Sequence, residues 1–385
     1  MSTGFMAEAD LSSNAIELAR RQVALGAGYI DLTSSNPTQQ GLLFPPEVLR
    51  TAAEPFWASR RHIPDPRGRL EARQAVTTYY QRRTPALALS AETDVFMTAS
   101  TSEAYSLLFA LLTNPGDNVL APDVGYPLFD YLAALHHIEL RPYMLDAKRH
   151  WQIDGRSLLN VANDRTRAVL IVSPHNPAGA IVQQPVSALD QLALPIICDE
   201  VFAEFTYGVR HTPPLGILHP ALPVFHLNGI SKLFALPDLK LGWMVLSGGA
   251  SARFGERLEL LNDTFLGANA LSQFMLPTLF ERGWDFVEYM RGQVRHNFDL
   301  ALRVLSAHPR IQTQPPDGGY NLLIDVLGEN DEEALVLRLL ERGVLVHPGY
   351  FFNTAAEPDR ARLMISCLTE TAILEQGLAQ LLKAL

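Results

Sequence analysis

Residues Ala168–Gly179 read AVLIVSPHNPAG. A short apolar run rich in Val and Ile stops at Ser-Pro and Asn-Pro, and a Gly closes the turn. That is how a strand buried on both faces of a sheet reads. Working outward, the same pattern recurs at Asp94–Ala99, Asn118–Pro122, Ile138–Leu145, Pro195–Asp199, Val224–Asn228 and Leu241–Ser247. Amphipathic stretches separate these runs. Strand and helix in alternation predict an α/β domain over residues 46–283, with a mostly parallel, seven-stranded sheet flanked by helices.

The two ends read differently. Amphipathic helices are expected at Asn14–Leu25 and Trp284–Leu305. The last portion reads as strand Tyr320–Val326, helix Asp331–Glu341, strands Val344–His347 and Leu363–Cys367, and helix Thr369–Leu382. Residues 1–45 and 284–385 are therefore expected to form a second, smaller α+β domain from both termini. Two domains suit a chain of 385 residues.

Composition narrows the function. The net charge of −10 argues against nucleic-acid and anionic-membrane partners, which reward clustered Lys and Arg. No apolar run approaches the ~20 residues that span a bilayer. Met1–Leu11 lacks a basic stretch followed by an apolar run, so a cytoplasmic location is expected. Cys198 and Cys367 make no disulfide framework, and the histidines show no ligand spacing, so no metal is expected. Cys198 lies in an apolar run and reads as a buried core thiol.

Ligands of open α/β sheets bind beyond the carboxyl ends of the strands. Polar residues sit at several of those ends. In MTASTSEAYSLLFALL, Met97–Leu112, Ser100 and Glu103 make a capping box. The helix start exposes free N–H groups that suit a phosphate, with Thr101 and Ser102 adding hydroxyls. Taken alone this is a well-capped helix. Tyr126, in DVGYPLFDY, is either core packing or a ring that stacks on a planar ligand. Asn176, in SPHNPAG, is by itself a turn residue. In ICDEVF, Ile197–Phe202, a carboxylate at the end of a buried strand needs a partner, and Asp199 is the one in line. In NGISKLFALPDLKLGW, Asn228–Trp243, Lys232 is by itself a solvated surface group, or, among these apolar residues, an amine that can lose its proton and attack an aldehyde.

In this order and at these separations, the segments SSNPT at Ser34–Thr38, NPAG, DEVF and SKLFALPDLKLGW resemble the aminotransferase class I/II family, fold type I of the pyridoxal 5′-phosphate enzymes. The resemblance covers nearly the whole chain. It implies that Lys232 carries the cofactor as a Schiff base and then shuttles a proton between substrate Cα and cofactor C4′. It implies that Asp199 pairs with the pyridine nitrogen, Tyr126 stacks on the ring and Asn176 bonds the 3′ oxygen. Thr101, Ser102 and Ser231 would hold the phosphate. It further implies a homodimer with shared active sites, acting on a small amino acid or amine and a keto acid. A carbon–sulfur or β-elimination lyase and a PLP-sensing domain are the competing readings on the same scaffold.

Four positions depart from the family's pattern. Phe202 stands where a Tyr usually shares the 3′ oxygen. Lys240 replaces a phosphate-binding Arg, keeping the charge but losing the bidentate fork. His62 lies where a Tyr often reaches the neighbouring subunit's phosphate. Met364 occupies the place of the Arg that usually holds the substrate's α-carboxylate. Arg362, on the same face of a strand about 6.6 Å away, is left as a displaced clamp or a structural residue. Asn36, Tyr320 and Tyr350–Phe352 are expected at the pocket rim.

Overall fold

A computed structural model describes residues 12–26, 28–59, 61–208, 211–355 and 358–385. All seven predicted central strands form one sheet. They are β1 (Val95–Thr98), β2 (Asn118–Pro122), β3 (Glu139–Tyr143), β4 (Thr166–Val172), β5 (Ile196–Asp199), β6 (Val224–Gly229) and β7 (Gly242–Ser247), in the order β1-β7-β6-β5-β4-β2-β3. Strands β2 to β6 run parallel, and β7 is antiparallel to both β6 and β1. Residues of β1, β2, β5, β6 and β7 are nearly all buried, which explains their apolar runs.

Helices cover both faces. Phe96, Ile197, Phe225 and Met244 pack with Tyr105, Leu108 and Phe254 on one side. Leu120, Ile171, Cys198 and Val224 pack with Leu158, Leu189 and Leu215 on the other. Alternation along β5 thus sends Ile197 and Asp199 to one face and Cys198 and Glu200 to the other.

A second, four-stranded antiparallel sheet lies near the C-terminus. Its strands are β8 (Ile311–Thr313), β9 (Asn321–Leu327), β10 (His347–Pro348) and β11 (Arg360–Ser366), ordered β8-β9-β11-β10. The helix Trp284–Leu305 has the predicted bounds. The chain's two ends meet where Ile30–Asp31 pairs in parallel with Val344–Leu345.

Two expected strands divide. Val344–His347 serves two sheets: Val344–Leu345 pairs with the N-terminal segment and His347–Pro348 with β11. Ile138–Leu145 shortens to β3, and Leu145–Asp146 leaves it to pair with Gln152–Ile153. In both cases an apolar run continues past the change of hydrogen-bonding partner, so hydrophobicity alone could not mark the break.

Candidate active site

The carboxyl ends of β1, β4, β5 and β6 open into a cavity of about 460 Å³. Its lining includes Thr101, Ser102, Tyr126, Asn176, Asp199, Phe202, Ser231, Lys232 and Lys240. These predicted residues leave different loops and meet in one place.

At one end lies the start of the helix Thr101–Leu112. Ser100 accepts from the Glu103 N–H at 3.1 Å, and Glu103 accepts from the Ala99 N–H at 2.5 Å. The capping box leaves the N–H groups of Thr101 and Ser102 without intrahelical partners, and both residues line the cavity. Gly242 permits this close assembly: a Cβ there would stand 3.0 Å from the Ser100 carbonyl carbon. Ser231 and Lys240 border the cavity too, Lys240 on exposed left-handed backbone at φ 47°.

Lys232 sits in the short helix Ile230–Leu233, half-buried, its Nζ donating to the Ser35 carbonyl at 3.2 Å. Desolvation pushes its pKa below the ordinary lysine value, and the Asp199 charge works against that shift. The Tyr320 hydroxyl donates to the Lys232 carbonyl at 3.1 Å and steadies that turn. Tyr320 in turn packs edge-on to Phe202, with ring centroids 4.9 Å apart.

Asp199 is 6% exposed. It accepts from the Tyr105 hydroxyl at 2.9 Å and the Val201 N–H at 3.0 Å. Burial nevertheless raises its pKa to about 6, against those two bonds. A buried carboxylate held above its usual range, beside a cavity, is poised for a cationic partner.

Asn176 accepts from the Asn321 side-chain N–H at 2.8 Å. That bond fixes its carbonyl oxygen toward β9 and leaves its own amide N–H groups for the cavity. The neighbouring His175 bonds the Val124 carbonyl at 2.9 Å, tying the Asn176 loop to the loop of Tyr126. Tyr126 is 47% exposed, free to cover a planar ligand.

Three expectations are corrected. Asn36 is not in the cavity wall: its side chain caps the turn Pro37–Gln40, bonding the Thr38 N–H at 3.1 Å, and Thr33 and Ser35 line the wall instead. Arg362 does not face Lys232. It holds Asp325 through two bonds of 2.7 and 3.1 Å and stacks on Trp151, beside a separate cavity of about 850 Å³. That cavity is larger, yet it contains neither Lys232 nor Asp199, so size does not locate the chemistry. Of Tyr350–Phe352, only Phe352 lines the Lys232 cavity, while the Tyr350 hydroxyl donates to Glu333 at 2.9 Å. His62 is exposed and outside the wall formed by its own chain.

Sequence reasoning missed Tyr105, His347 and Asn321. Tyr105 stands one helical turn after Thr101, and that spacing on an apolar helix was the available signal. Asn321 and His347 gave none, because their placement depends on strand pairing across β9, β11 and β10.

Residues 27–381 match the family model for aminotransferase class I and II. Mouse (Mus musculus) tyrosine aminotransferase is 27% identical over 343 residues, covering 84% of this chain and 74% of that one. Glutamate-pyruvate aminotransferase of Haemophilus influenzae is 28% identical over 354 residues, covering 88% and 86%. The solved alanine aminotransferase of Pyrococcus furiosus superposes with a TM-score of 0.88 at 23% identity, covering 100% of this chain and 99% of that one.

Proposed function

Because this chain belongs to the aminotransferase class I and II family, we propose that its transamination runs on pyridoxal 5′-phosphate seated in the Lys232 cavity, with Lys232 and Asp199 as the central pair. The observation that carries the reading is the convergence of Lys232, Asp199 and an open helix N-terminus on one cavity. The residues fit the group. The helix start with Thr101, Ser102, Ser231 and the cation of Lys240 suits a phosphate. Asp199, buried with no cation bonded to it among the described residues, suits a protonated ring nitrogen, and the amide N–H groups of Asn176, unbonded among those same residues, suit a ring oxygen.

When bound, the cofactor supplies an aldehyde that captures the substrate amine and a ring that withdraws electrons from its Cα. The chain's own residues do the rest. Asp199 keeps the ring nitrogen protonated by its negative charge. Lys232, whose charge is disfavoured by desolvation, would take the proton from substrate Cα and return it two atoms along, at the carbon that was the cofactor's aldehyde. Tyr126 covers one ring face. Phe202 brings no hydroxyl, so Asn176 alone serves the ring oxygen.

The same proposal makes residues 46–283 the large domain and the two ends the small one. It assembles two chains into a homodimer, where the exposed His62 reaches the partner's phosphate. Cys198 and Cys367, buried and unpaired, fit a reducing cytoplasm. Among the described residues no helix is long and apolar enough to cross a membrane.

The test is the visible absorbance of protein loaded with pyridoxal 5′-phosphate. An amine donor is expected to convert the bound cofactor to its amine form, and a keto acid to reverse it. Lys232→Ala is expected to remove both changes. Pyruvate and ammonia released without conversion of the cofactor would overturn transamination.

A further inference from the structure

We propose that the amino donor this site is built for carries no carboxylate on its reacting carbon, and that its apolar body lies against a wall made by Met364 and Phe352. The proposal rests on the aminotransferase reading and names the substrate class for it.

The wall is read from β11. Met364 is 2% exposed, lines the Lys232 cavity and packs with Val124 and Phe352, backed by Leu323, Phe351 and Trp151. Around it, each polar group of the described chain is otherwise engaged or uncharged. His347 stands opposite Met364 in the strand register, and burial pushes its pKa down to about 4, leaving a neutral ring. Asn321 gives its amide N–H to Asn176 at 2.8 Å. Arg362, two residues along the strand, is clasped by Asp325 and stacked on Trp151 in the adjoining cavity. The cations that do line the cavity are Lys232 and Lys240. One is needed at the reacting atoms and the other at the phosphate.

A carboxylate brought against Met364 would therefore lose its water and gain no cation, which is heavily unfavourable. An apolar group in the same place gains by burial. The pair Asn176–Asn321 points the same way. The Asn176 carbonyl oxygen, held toward β9, is satisfied by a neutral amide and does not require a guanidinium beside it.

The reaction balances without an oxidant. The donor carbon gives up its C–N bond, one proton and an electron pair, and becomes an aldehyde or ketone on hydrolysis. The acceptor's carbonyl carbon receives the nitrogen, the proton and the electron pair, and its oxygen leaves as water.

The experiment compares two stable adducts, phosphopyridoxyl-tyramine and phosphopyridoxyl-tyrosine, titrated by calorimetry into cofactor-free protein. They differ only by the carboxylate. The wild type is expected to bind the tyramine adduct at least tenfold more tightly. Met364→Arg is expected to invert that order. Equal or tighter binding of the tyrosine adduct by the wild type overturns the proposal, whether or not the variant folds. So does failure of a folded Met364→Arg protein, checked by circular dichroism, to shift the ratio. The absorbance assay with tyramine and tyrosine as donors separates the two readings. If the adduct preference holds while neither donor converts the cofactor, the aminotransferase reading falls and the wall stands. If tyrosine is converted at least tenfold faster than tyramine, the wall falls and the aminotransferase reading stands.

Discussion

On the helix Thr101–Leu112 side of the central sheet, Asp199 has a hydroxyl and one backbone N–H for company. One residue on, at the opposite face, Glu200 is fully buried and ringed by partners. Arg83 pairs with it, the Tyr80 hydroxyl donates at 3.1 Å, and His226 lies at 2.8 Å. Burial pushes both acids up, but the outcomes diverge. Asp199 ends at about 6, while Arg83 and His226 bring Glu200 down to about 2. The protein satisfies one carboxylate with its own guanidinium and leaves its neighbour open. A buried charge completed by the fold supports stability, and one left incomplete is a binding site. Cys198, Glu200 and His226 also sit close enough to resemble a ligand set, but the guanidinium already at Glu200 marks the cluster as an ion-pair network.

The largest effect should come from breaking the completed side. Arg83→Met strands Glu200 without its cation, and about 3–5 kcal/mol of stability should be lost. Denaturant unfolding measures it. A loss below about 1 kcal/mol would mean that Glu200 is not held by Arg83, and the contrast with Asp199 would collapse.

Next is the open side. Asp199→Asn keeps the shape and removes the charge. Turnover should fall by about 10²–10³-fold, or about 2.7–4 kcal/mol in the barrier. The cofactor-free protein should be no less stable, since a strained carboxylate has been removed. Steady-state rates and a thermal melt on the same preparation check both halves. A variant that is both active and unstable would place Asp199 with Glu200 as a structural acid.

The open side of this contrast was legible in the sequence, for a physical reason. Each central strand is buried on both faces, so its apolar run ends sharply and the polar residue after it stands out, as with Asp199 after Ile196–Cys198. Lys232 and Asn176 are exposed to reading in the same way. What could not be read was anything set by register between distant strands. Arg362 was a candidate clamp by its face, but its partner Asp325 is chosen by the pairing of β9 with β11. Asn321 reaches Asn176 across 145 positions of chain. Asn36 lay in the right segment, but as a cap its side chain served its own turn.

The two acids should also separate with pH. Asp199 holds a proton more tightly in the folded protein than its ordinary value of 3.8, so its contribution is fully present below that pH and lost as pH rises toward about 6. Glu200 is the reverse: its contribution is full above 4.5 and lost as pH falls toward about 2. Between pH 4.5 and 6 the cofactor-free wild type should therefore lose about 2 kcal/mol relative to Asp199→Asn. Parallel melts across that range check it, and curves that stay parallel would show Asp199 ionising as an ordinary surface acid does.

The smallest effect tests how open Asp199 is. Tyr105 is the only side chain hydrogen-bonded to it among the described residues, and its hydroxyl donates to the charged form. Tyr105→Phe removes that donor and leaves the ring, which packs on Phe109 and Phe129, in place. Losing one bond to a charged group is worth about 1.5 kcal/mol here, the low end of the range, because the Val201 N–H remains. Turnover should fall about tenfold, and the pH window in which Asp199 destabilises the cofactor-free protein should move upward. Glu200 predicts a different result for a comparable change: Tyr80→Phe removes one donor of several, so the acid limb near pH 2–4.5 should barely move. If both variants shift their acids equally, the two carboxylates are equally completed, and only the cavity beside Asp199 distinguishes them.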